Sequence, residues 1–207
     1  MRVLIIGIGA MGKRYKAILK YLGVDFVECD LYNQKEIWQH SPKVDRAIIA
    51  TPIDKHYEWC LWCISHKIDF LCEKPISKNI EQVKDLKMLC DRNDVDGRMV
   101  CNWAFVSGEL EPSKNAIHFD YYNTGKDGFW DLIQPVYLDN GNSKFIFKSP
   151  FYICMIEGKK ISQHDFDISY VEMIRYWIHQ PEILWSMSDA IKATEKIIEW
   201  GKKNEKA

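Results

Sequence analysis

The sequence has no excess of charge of either sign and no long apolar run. Its 28 Lys and Arg residues nearly balance 29 Asp and Glu residues, which leaves a formal net charge of −1. This balance argues against a nucleic-acid groove or an anionic membrane surface as the partner. No segment reaches the ~18 consecutive apolar residues that a membrane-spanning helix needs. We therefore expect a small-molecule partner, with neither nucleic acid nor membrane involved.

Regularly spaced cysteines are also missing. The seven cysteines are an odd number without regular spacing, and most lie inside apolar segments. This pattern is typical of reduced thiols that pack as small hydrophobic side chains, so we expect a cytoplasmic protein. Cys60 and Cys63 form a CxxC pair, but no second CxxC or His pair completes a zinc set. The sequence predicts no metal, with redox or zinc chemistry at this pair as the alternative.

The residues that are present suggest a nucleotide site at the start of the chain. An apolar run over 2–6 leads into spaced glycines and then into a helical pattern. In a dinucleotide-binding turn, the first glycine permits a tight turn, the second lets the pyrophosphate approach the backbone, and the third lets the helix lie on the strand. The residues predicted to bind the cofactor here are Gly7, Ile8, Gly9, Ala10, Met11 and Gly12.

A second strand-like run, over 24–29, ends at Asp30, 18 positions after Gly12. An acidic side chain about 20 residues after the turn can accept hydrogen bonds from the adenosine ribose and repel a 2′-phosphate. The sequence therefore predicts NAD(H) as the cofactor, with NADP(H) less favoured. Lys13 and Arg14, on the phosphate side, oppose this preference. A glycine-rich turn that is purely structural is the alternative.

The first half of the chain alternates strand and helix patterns. Apolar strand-like segments cover 46–50, 68–72 and 99–105, and helical patterns lie between them. Such alternation is typical of βαβ units around a parallel sheet. We therefore predict an α/β fold whose first domain, residues 1–106, is a Rossmann-type parallel sheet with helices on both faces.

The spacing of apolar residues along the sequence changes after this domain. Strand-like segments at 117–122, 144–147 and 152–156 are linked by turn sequences, which is typical of antiparallel strands. Two amphipathic helical patterns then end the sequence. We predict an α+β domain over 107–207 with an antiparallel sheet.

Three separate motifs, in order, resemble those of one family. They are the glycine turn over 7–12, Ala50-Thr51-Pro52 with His56 four residues on, and Glu73-Lys74-Pro75 at the end of the next strand. This combination is similar to the glucose-fructose oxidoreductase, inositol dehydrogenase and MocA (Gfo/Idh/MocA) family of NAD(P)-dependent oxidoreductases. The resemblance covers residues 1 to about 106 well, and a weaker similarity continues in Tyr170-Val171-Glu172-Met173 and the last helical pattern. It implies that the domain over 107–207 is shortened and that its C-terminal helices return to the first domain.

The resemblance implies roles for residues at two strand ends. Thr51, Pro52 and His56 would line the nicotinamide side of the cofactor. Glu73 would contact the cofactor ribose, and Lys74 would reach the oxygen on the reacting carbon. A lysine ammonium there can polarise a carbonyl, or hold a hydroxyl whose proton must leave as hydride departs. A solvated strand-end lysine is the alternative for Lys74.

The second domain departs from the family pattern. Members usually carry an aspartate and, four residues later, the general acid/base histidine on a helix. Asp131 is the best match, but Gln134 and Pro135 stand where the histidine is expected. Neither of these two side chains can shuttle a proton. His118 and His164 are the alternative proton carriers.

These observations predict an NAD(H)-dependent oxidoreductase that transfers hydride to or from a hydroxyl or carbonyl of a sugar-like or other polar small molecule. Lys74 and Asp131 are the candidate catalytic residues. The alternatives are a dinucleotide-binding sensor or assembly protein that has lost the histidine, and a reductase in which Lys74 or solvent protonates the product. An uncovered aromatic face of the second-domain sheet also predicts a homodimer through that sheet.

Overall fold

The structure is a computed structural model, and it divides the chain into two compact units. One unit consists of Met1–Val100 with Leu184–Ile191, and the other of Cys101–Ile183 with Lys192–Ala207. The predicted limits of the two domains stay a prediction. The residues that the structure describes are 1–102, 105, 117–121, 133–138, 155–156, 159–160 and 162–204.

The first unit is built on a six-stranded sheet. Its strands are β1 (Arg2–Ile6), β2 (Asp25–Cys29), β3 (Arg46–Ile49), β4 (Asp69–Cys72), β5 (Gly97–Met99) and β10 (Trp185–Ser186). They lie in the order β10-β5-β4-β3-β1-β2, and all neighbours are parallel except β10 and β5. The predicted α/β fold is confirmed, whereas the short antiparallel strand β10 was not predicted.

Both faces of this sheet are covered. The side chains of Val3, Leu4, Ile5 and Ile6 are at most 1% exposed. Successive residues of a strand point to opposite faces, so burial of all four requires packing on both sides. Full burial of one such side chain contributes about 1.5–3 kcal/mol. The apolar run before the glycine turn is therefore the centre of the core.

Helices connect the parallel strands. They are α1 (Ala10–Tyr21), α2 (Gln34–Gln39), α3 (His56–Ser65) and α4 (Ile80–Asn93). The Asn79 side chain caps α4 by accepting a hydrogen bond from the N–H of Glu81 at 2.9 Å. Asp54 precedes α3 in a 3₁₀ turn, Ile53–Lys55, and its carboxylate pairs with Lys78 at 3.3 Å instead of capping the helix.

The fifth strand is shorter than its sequence pattern predicts. It ends at Met99, which pairs with Cys72, the last residue of β4. The apolar pattern continues to residue 105, but Asn102 and Phe105 are helical. A strand needs a neighbour for its backbone hydrogen bonds, and β4 provides none beyond Cys72.

The second unit contains two antiparallel strand pairs. They are β6 (Ile117–Tyr121) with β7 (Ile133–Leu138), and β8 (Met155–Ile156) with β9 (Lys159–Lys160). The predicted antiparallel strands are thus confirmed in this unit, although neither β7 nor β9 was predicted. The predicted strand at 144–147 lies outside the described residues.

Two longer helices follow, α5 (Gln163–His179) and α6 (Met187–Asn204). The first begins earlier than its apolar pattern suggests because Ser162 and Asp165 form a capping box. Hydrogen bonds from Ser162 hold the pKa of the Asp165 carboxyl below its usual value. None of the helices in the described part of the chain combines the length and apolar character that a membrane crossing requires.

Candidate functional site

Three glycines join β1 to α1 in the way that a dinucleotide turn requires. Gly7 has a φ of +93°, and a Cβ there would lie 2.8 Å from the backbone of Ala50. A Cβ at Gly12 would lie 1.9 Å from the carbonyl oxygen of Gly7, so glycine is needed for α1 to pack on the turn. Among the described residues, no atom lies within 4 Å of the Cβ position of Gly9, which leaves the backbone there open to a ligand.

The start of α1 suits an anion. The first N–H groups of a helix have no partner within the helix, and the helix dipole adds positive partial charge there. In the part of the chain that is described, this end has neither a side-chain cap at Gly9 nor an acidic residue in its first turn. Ala10 and Met11 are the first two residues of the helix. A pyrophosphate therefore fits this helix start.

A cavity of about 330 Å³ opens at the carboxyl ends of β1, β2 and β3. Because β1 lies between β2 and β3, the cavity is at the point where the strand order reverses, and open α/β sheets bind their ligands there. The predicted residues in its wall are Gly7, Ile8, Gly9, Asp30, Thr51 and Pro52. The predicted residues outside its wall are Ala10, Met11, Gly12, His56, Glu73 and Lys74.

Asp30 is held in place at the tip of β2 by the turn that follows. Its Oδ1 accepts a hydrogen bond from the N–H of Tyr32 at 2.8 Å. Its own N–H donates to Asn33 Oδ1 at 2.8 Å, while Asn33 Nδ2 donates to the carbonyl of Glu28 at 2.8 Å. Asn33 was not identified from the sequence, although an asparagine three residues after a strand-end aspartate is typical of such side-chain-bonded turns.

Thr51 presents a buried hydroxyl at the cavity wall. Its Oγ1 is inaccessible to solvent and has no hydrogen-bond partner among the described residues. A buried polar atom without a partner carries a desolvation cost, and a ligand that bonds to it removes that cost. A polar ligand at this wall would satisfy the Thr51 hydroxyl.

His56 links the segments that follow two neighbouring strands. The residue is only 2% exposed. Its Nε2 lies 2.8 Å from the carbonyl oxygen of Thr51, and its Nδ1 lies 2.9 Å from that of Pro75. His56 thus joins the segment after β3 to the segment after β4. The direct contact with nicotinamide that the family resemblance implies stays a prediction.

Glu73 and Lys74 immediately follow β4, which lies beside β3. The N–H of Glu73 donates to the carbonyl of Ile49 at 2.9 Å. Its carboxylate accepts from the Tyr15 hydroxyl at 2.5 Å and from the N–H of Lys74 at 3.2 Å. Sequence reasoning assigned Tyr15 only to the apolar face of α1. Its polar end could have indicated more, since a buried tyrosine hydroxyl usually has a partner.

In the second unit, the structure gives the positions of some predicted catalytic residues but does not test their roles. Asp131 lies outside the described residues. Gln134 and Pro135 lie on strand β7, whereas the family resemblance implies a helix at the histidine position. His118 lies on β6, and His164 is exposed in the first turn of α5. Roles for Asp131, His118 and His164 in catalysis stay predictions.

The described cysteines are buried thiols. Burial raises the pKa of Cys60 and of Cys63 well above the usual thiol value. Burial and then the charge of Asp30 raise the pKa of Cys29 to about 12. A raised pKa lowers the thiolate fraction and with it the reactivity. In the described ranges, no group of three or more His, Cys, Asp or Glu side chains is arranged to hold a metal ion.

The reversal point of a parallel sheet, with a glycine turn leading into an uncapped helix, defines a Rossmann-type dinucleotide-binding domain. Residues 23–99 match the family model of the Gfo/Idh/MocA proteins, an oxidoreductase family with an NAD-binding Rossmann fold. The resemblance predicted from the motifs of the chain is confirmed over this range. The glycine turn precedes the matched range.

Individual relatives match only part of the chain. The uncharacterized oxidoreductase YgjR of Escherichia coli is 33% identical over 70 residues, which are 34% of this chain and 21% of that protein. A probable dehydrogenase from Thermotoga maritima is 21% identical, with a TM-score of 0.43, over 53% of this chain and 39% of that one. The WlbA dehydrogenase from Bordetella pertussis, in complex with NADH and UDP-GlcNAcA, is 17% identical, with a TM-score of 0.45, over 53% and 41%. The chain thus spans less than half the length of each relative.

Proposed function

We propose that this protein is an NAD(H)-dependent oxidoreductase that transfers hydride to or from a hydroxyl or carbonyl of a polar, sugar-like small molecule. The observation that carries the proposal is the turn from β1 to α1. Its three glycines leave an open backbone at Gly9 and an uncapped helix start in the described structure, beside a cavity at the sheet's reversal point. The match of residues 23–99 to an oxidoreductase family supports a redox role.

The residues present fit the two ends of a dinucleotide. The helix start at Ala10 and Met11 would hold the pyrophosphate, and Asp30 would accept hydrogen bonds from the adenosine ribose. The unpartnered Thr51 hydroxyl would bond to the nicotinamide half. A volume of about 330 Å³ is near the lower limit for ligand sites, so a dinucleotide would also extend beyond this cavity.

NAD(H) is the proposed cofactor because of the charge of Asp30. A 2′-phosphate about 4 Å from this carboxylate would be repelled by about 4 kcal/mol per unit charge at an effective dielectric constant of about 20, and by less where water enters. Lys13 is exposed and Arg14 is half-buried on α1. They act against this preference, but neither is on the strand end that carries Asp30.

Lys74 would supply the polar chemistry at the reacting carbon. A bound nicotinamide gives or takes the hydride. The ammonium of Lys74 would polarise the substrate carbonyl in reduction, or stabilise the oxygen of a hydroxyl as its proton leaves in oxidation. Its backbone is positioned by the carboxylate of Glu73.

A second candidate function is dinucleotide binding without turnover, as in a sensor or assembly protein. The observation that favours it is the position of Gln134 and Pro135 on a strand, where family members carry a helix with the acid/base histidine. The two candidates share the cofactor site and differ only in the reaction.

Titration and turnover together separate these candidates. We expect calorimetry to show NADH binding, and stopped-flow absorbance at the reduced-nicotinamide band to show hydride transfer with a member of a panel of sugars, sugar acids and nucleotide sugars. Binding without transfer across the panel would favour the sensor. Absence of binding to both NADH and NADPH would contradict both candidates.

A further inference from the structure

The Tyr15 hydroxyl connects the helix of the glycine turn to the residue proposed to act on substrate. Tyr15 lies on α1, three residues after Gly12, and is 0% exposed. Its hydroxyl donates to Glu73 Oε1 at 2.5 Å, and Glu73 Oε2 accepts from the backbone N–H of Lys74 at 3.2 Å. The two oxygens of one carboxylate therefore join α1 to the segment after β4.

Other contacts of this segment reach its backbone. Glu73 N–H bonds to the Ile49 carbonyl at 2.9 Å, and the Pro75 carbonyl lies 2.9 Å from His56 Nδ1. These bonds position the main chain of the segment but do not set the χ angles of Glu73. The Tyr15 hydroxyl is a contact from another element to the Glu73 carboxylate itself, and it therefore helps to set the direction of that carboxylate.

We propose that Tyr15 is a positioning residue that orients Glu73 for the cofactor ribose and, through Glu73, holds the backbone of Lys74. The inference rests on the proposed function, in which Glu73 contacts the ribose. The inference adds that α1 determines the geometry at two places in the site, where the phosphates bind and where Glu73 contacts the ribose. A shift of α1 then changes both ends together.

The competing explanation is that Glu73 merely satisfies a buried hydroxyl. The chain provides a matched control for this case, because the Tyr57 hydroxyl donates to Asp85 Oδ2 at 2.6 Å and joins α3 to α4. Neither Tyr57 nor Asp85 has a proposed role in the cofactor site. Loss of either tyrosine hydroxyl removes one hydrogen bond to a carboxylate, but only Tyr15 should affect cofactor binding.

The test is a double-mutant cycle on NADH affinity, measured by calorimetry with the whole chain. Tyr15→Phe keeps the buried ring and should weaken NADH binding roughly 3- to 10-fold, a part of the full free energy of a hydrogen bond to a charged group, because Tyr15 acts on the cofactor only through Glu73. Glu73→Ala should weaken binding at least as much. The double variant should bind like Glu73→Ala alone, since Tyr15 acts through Glu73. Tyr57→Phe should stay within twofold of the wild type.

Thermal unfolding of all variants checks that each is folded at the titration temperature. Additive losses in the double variant, or a Tyr15→Phe affinity equal to that of Tyr57→Phe, would overturn the inference. That result leaves the proposed function intact as long as the wild type binds NADH. A wild type that binds NADH without turnover still permits the cycle, whereas a wild type that binds no dinucleotide removes the proposed function and this inference together.

Discussion

The side chain of Asn33 holds the backbone of Asp30 in place at the end of β2 through a hydrogen bond. Asn33 Oδ1 accepts from the N–H of Asp30 at 2.8 Å, and Asn33 Nδ2 donates to the Glu28 carbonyl two residues earlier. The oxygen and the nitrogen of the Asn33 side-chain amide therefore both stabilise the turn that presents the Asp30 carboxylate to the cavity. The proposed preference for NAD(H) would accordingly depend on a residue that is itself outside the cavity wall.

This relationship predicts the effects of two substitutions on cofactor choice. Asp30→Ala should raise the ratio of NADPH to NADH affinity by roughly tenfold or more, because the repulsion of a 2′-phosphate is removed. Asn33→Ala should lower NADH affinity and destabilise the fold by about 1 kcal/mol. Calorimetry with both cofactors measures the first effect, and urea unfolding measures the second.

Asp25→Ala, at the exposed start of β2, is the control. Equal or tighter binding of NADP(H) by the wild type would contradict the role of Asp30.

The glycine turn predicts opposite outcomes for two similar substitutions. Gly12→Ala should lower the free energy of unfolding by about 1–3 kcal/mol or more, because its Cβ would overlap the Gly7 carbonyl. Gly9→Ala has room for its Cβ and should fold with little loss of stability. It should nevertheless weaken NADH binding by roughly tenfold, since the methyl group occupies space beside the phosphate site. Thermal unfolding and NADH titration distinguish the two. Unchanged NADH affinity in Gly9→Ala would show that the phosphates bind elsewhere.

Lys74 is the residue on which the proposed reaction depends most. Lys74→Ala should lower turnover by roughly 10²- to 10⁴-fold, the usual contribution of a positioned acid or base group, while cofactor affinity changes by only a few-fold. Lys78→Ala removes a nearby exposed lysine, which pairs with Asp54, and should leave the rate unchanged. Steady-state kinetics and NADH titration provide the comparison. Full activity of Lys74→Ala, with loss of activity on substitution of His118 or His164, would refute the proposed mechanism.

The buried thiols predict a loss of stability at high pH. Burial, followed by nearby charges, raises the pKa of Cys29 and of Cys90 from 9.0 to about 12. Between these values the native thiols stay protonated while the unfolded thiols ionise, so the native state binds more protons and stability falls as pH rises. Urea unfolding at pH 8 and pH 10 should show this decrease, and Cys90→Ala should reduce it. A stability that is constant over this interval would contradict the raised pKa values.

Thiol counting and elemental analysis test the chemistry of the CxxC pair. We expect seven reduced thiols under denaturing conditions and no stoichiometric metal, because Cys60 and Cys63 are buried with raised pKa values. Stoichiometric zinc, or fewer than seven thiols in a freshly prepared reduced sample, would reverse the interpretation of this pair.

The strand pairs of the second unit are the proposed dimer surface. A short sheet with an uncovered apolar face tends to pair with a second copy. Light scattering should therefore return about twice the chain mass of 24.4 kDa at high concentration. A mass equal to one chain across the concentration series would count against the dimer.

The sequence by itself determined the features that are local in the chain. The glycine turn, the aspartate at the end of β2 and the alternating strands and helices follow from backbone preferences and from the period of apolar residues. The order of the motifs also predicted the family whose model matches residues 23–99. Each single motif depends on residues a few positions apart, so a linear pattern can reveal it.

Only the tertiary structure decided the contacts between distant elements. The Tyr15 hydroxyl meets Glu73 58 positions away, and His56 bonds to the Pro75 carbonyl 19 positions away. Apolar periodicity places Tyr15 on the inner face of α1 but cannot show what its hydroxyl reaches. The same holds for β5, which stops at Met99 because β4 ends at Cys72, although its own apolar pattern continues. A strand's length and a buried polar group's partner both depend on the neighbouring element, and that neighbour is known only once the chain has folded.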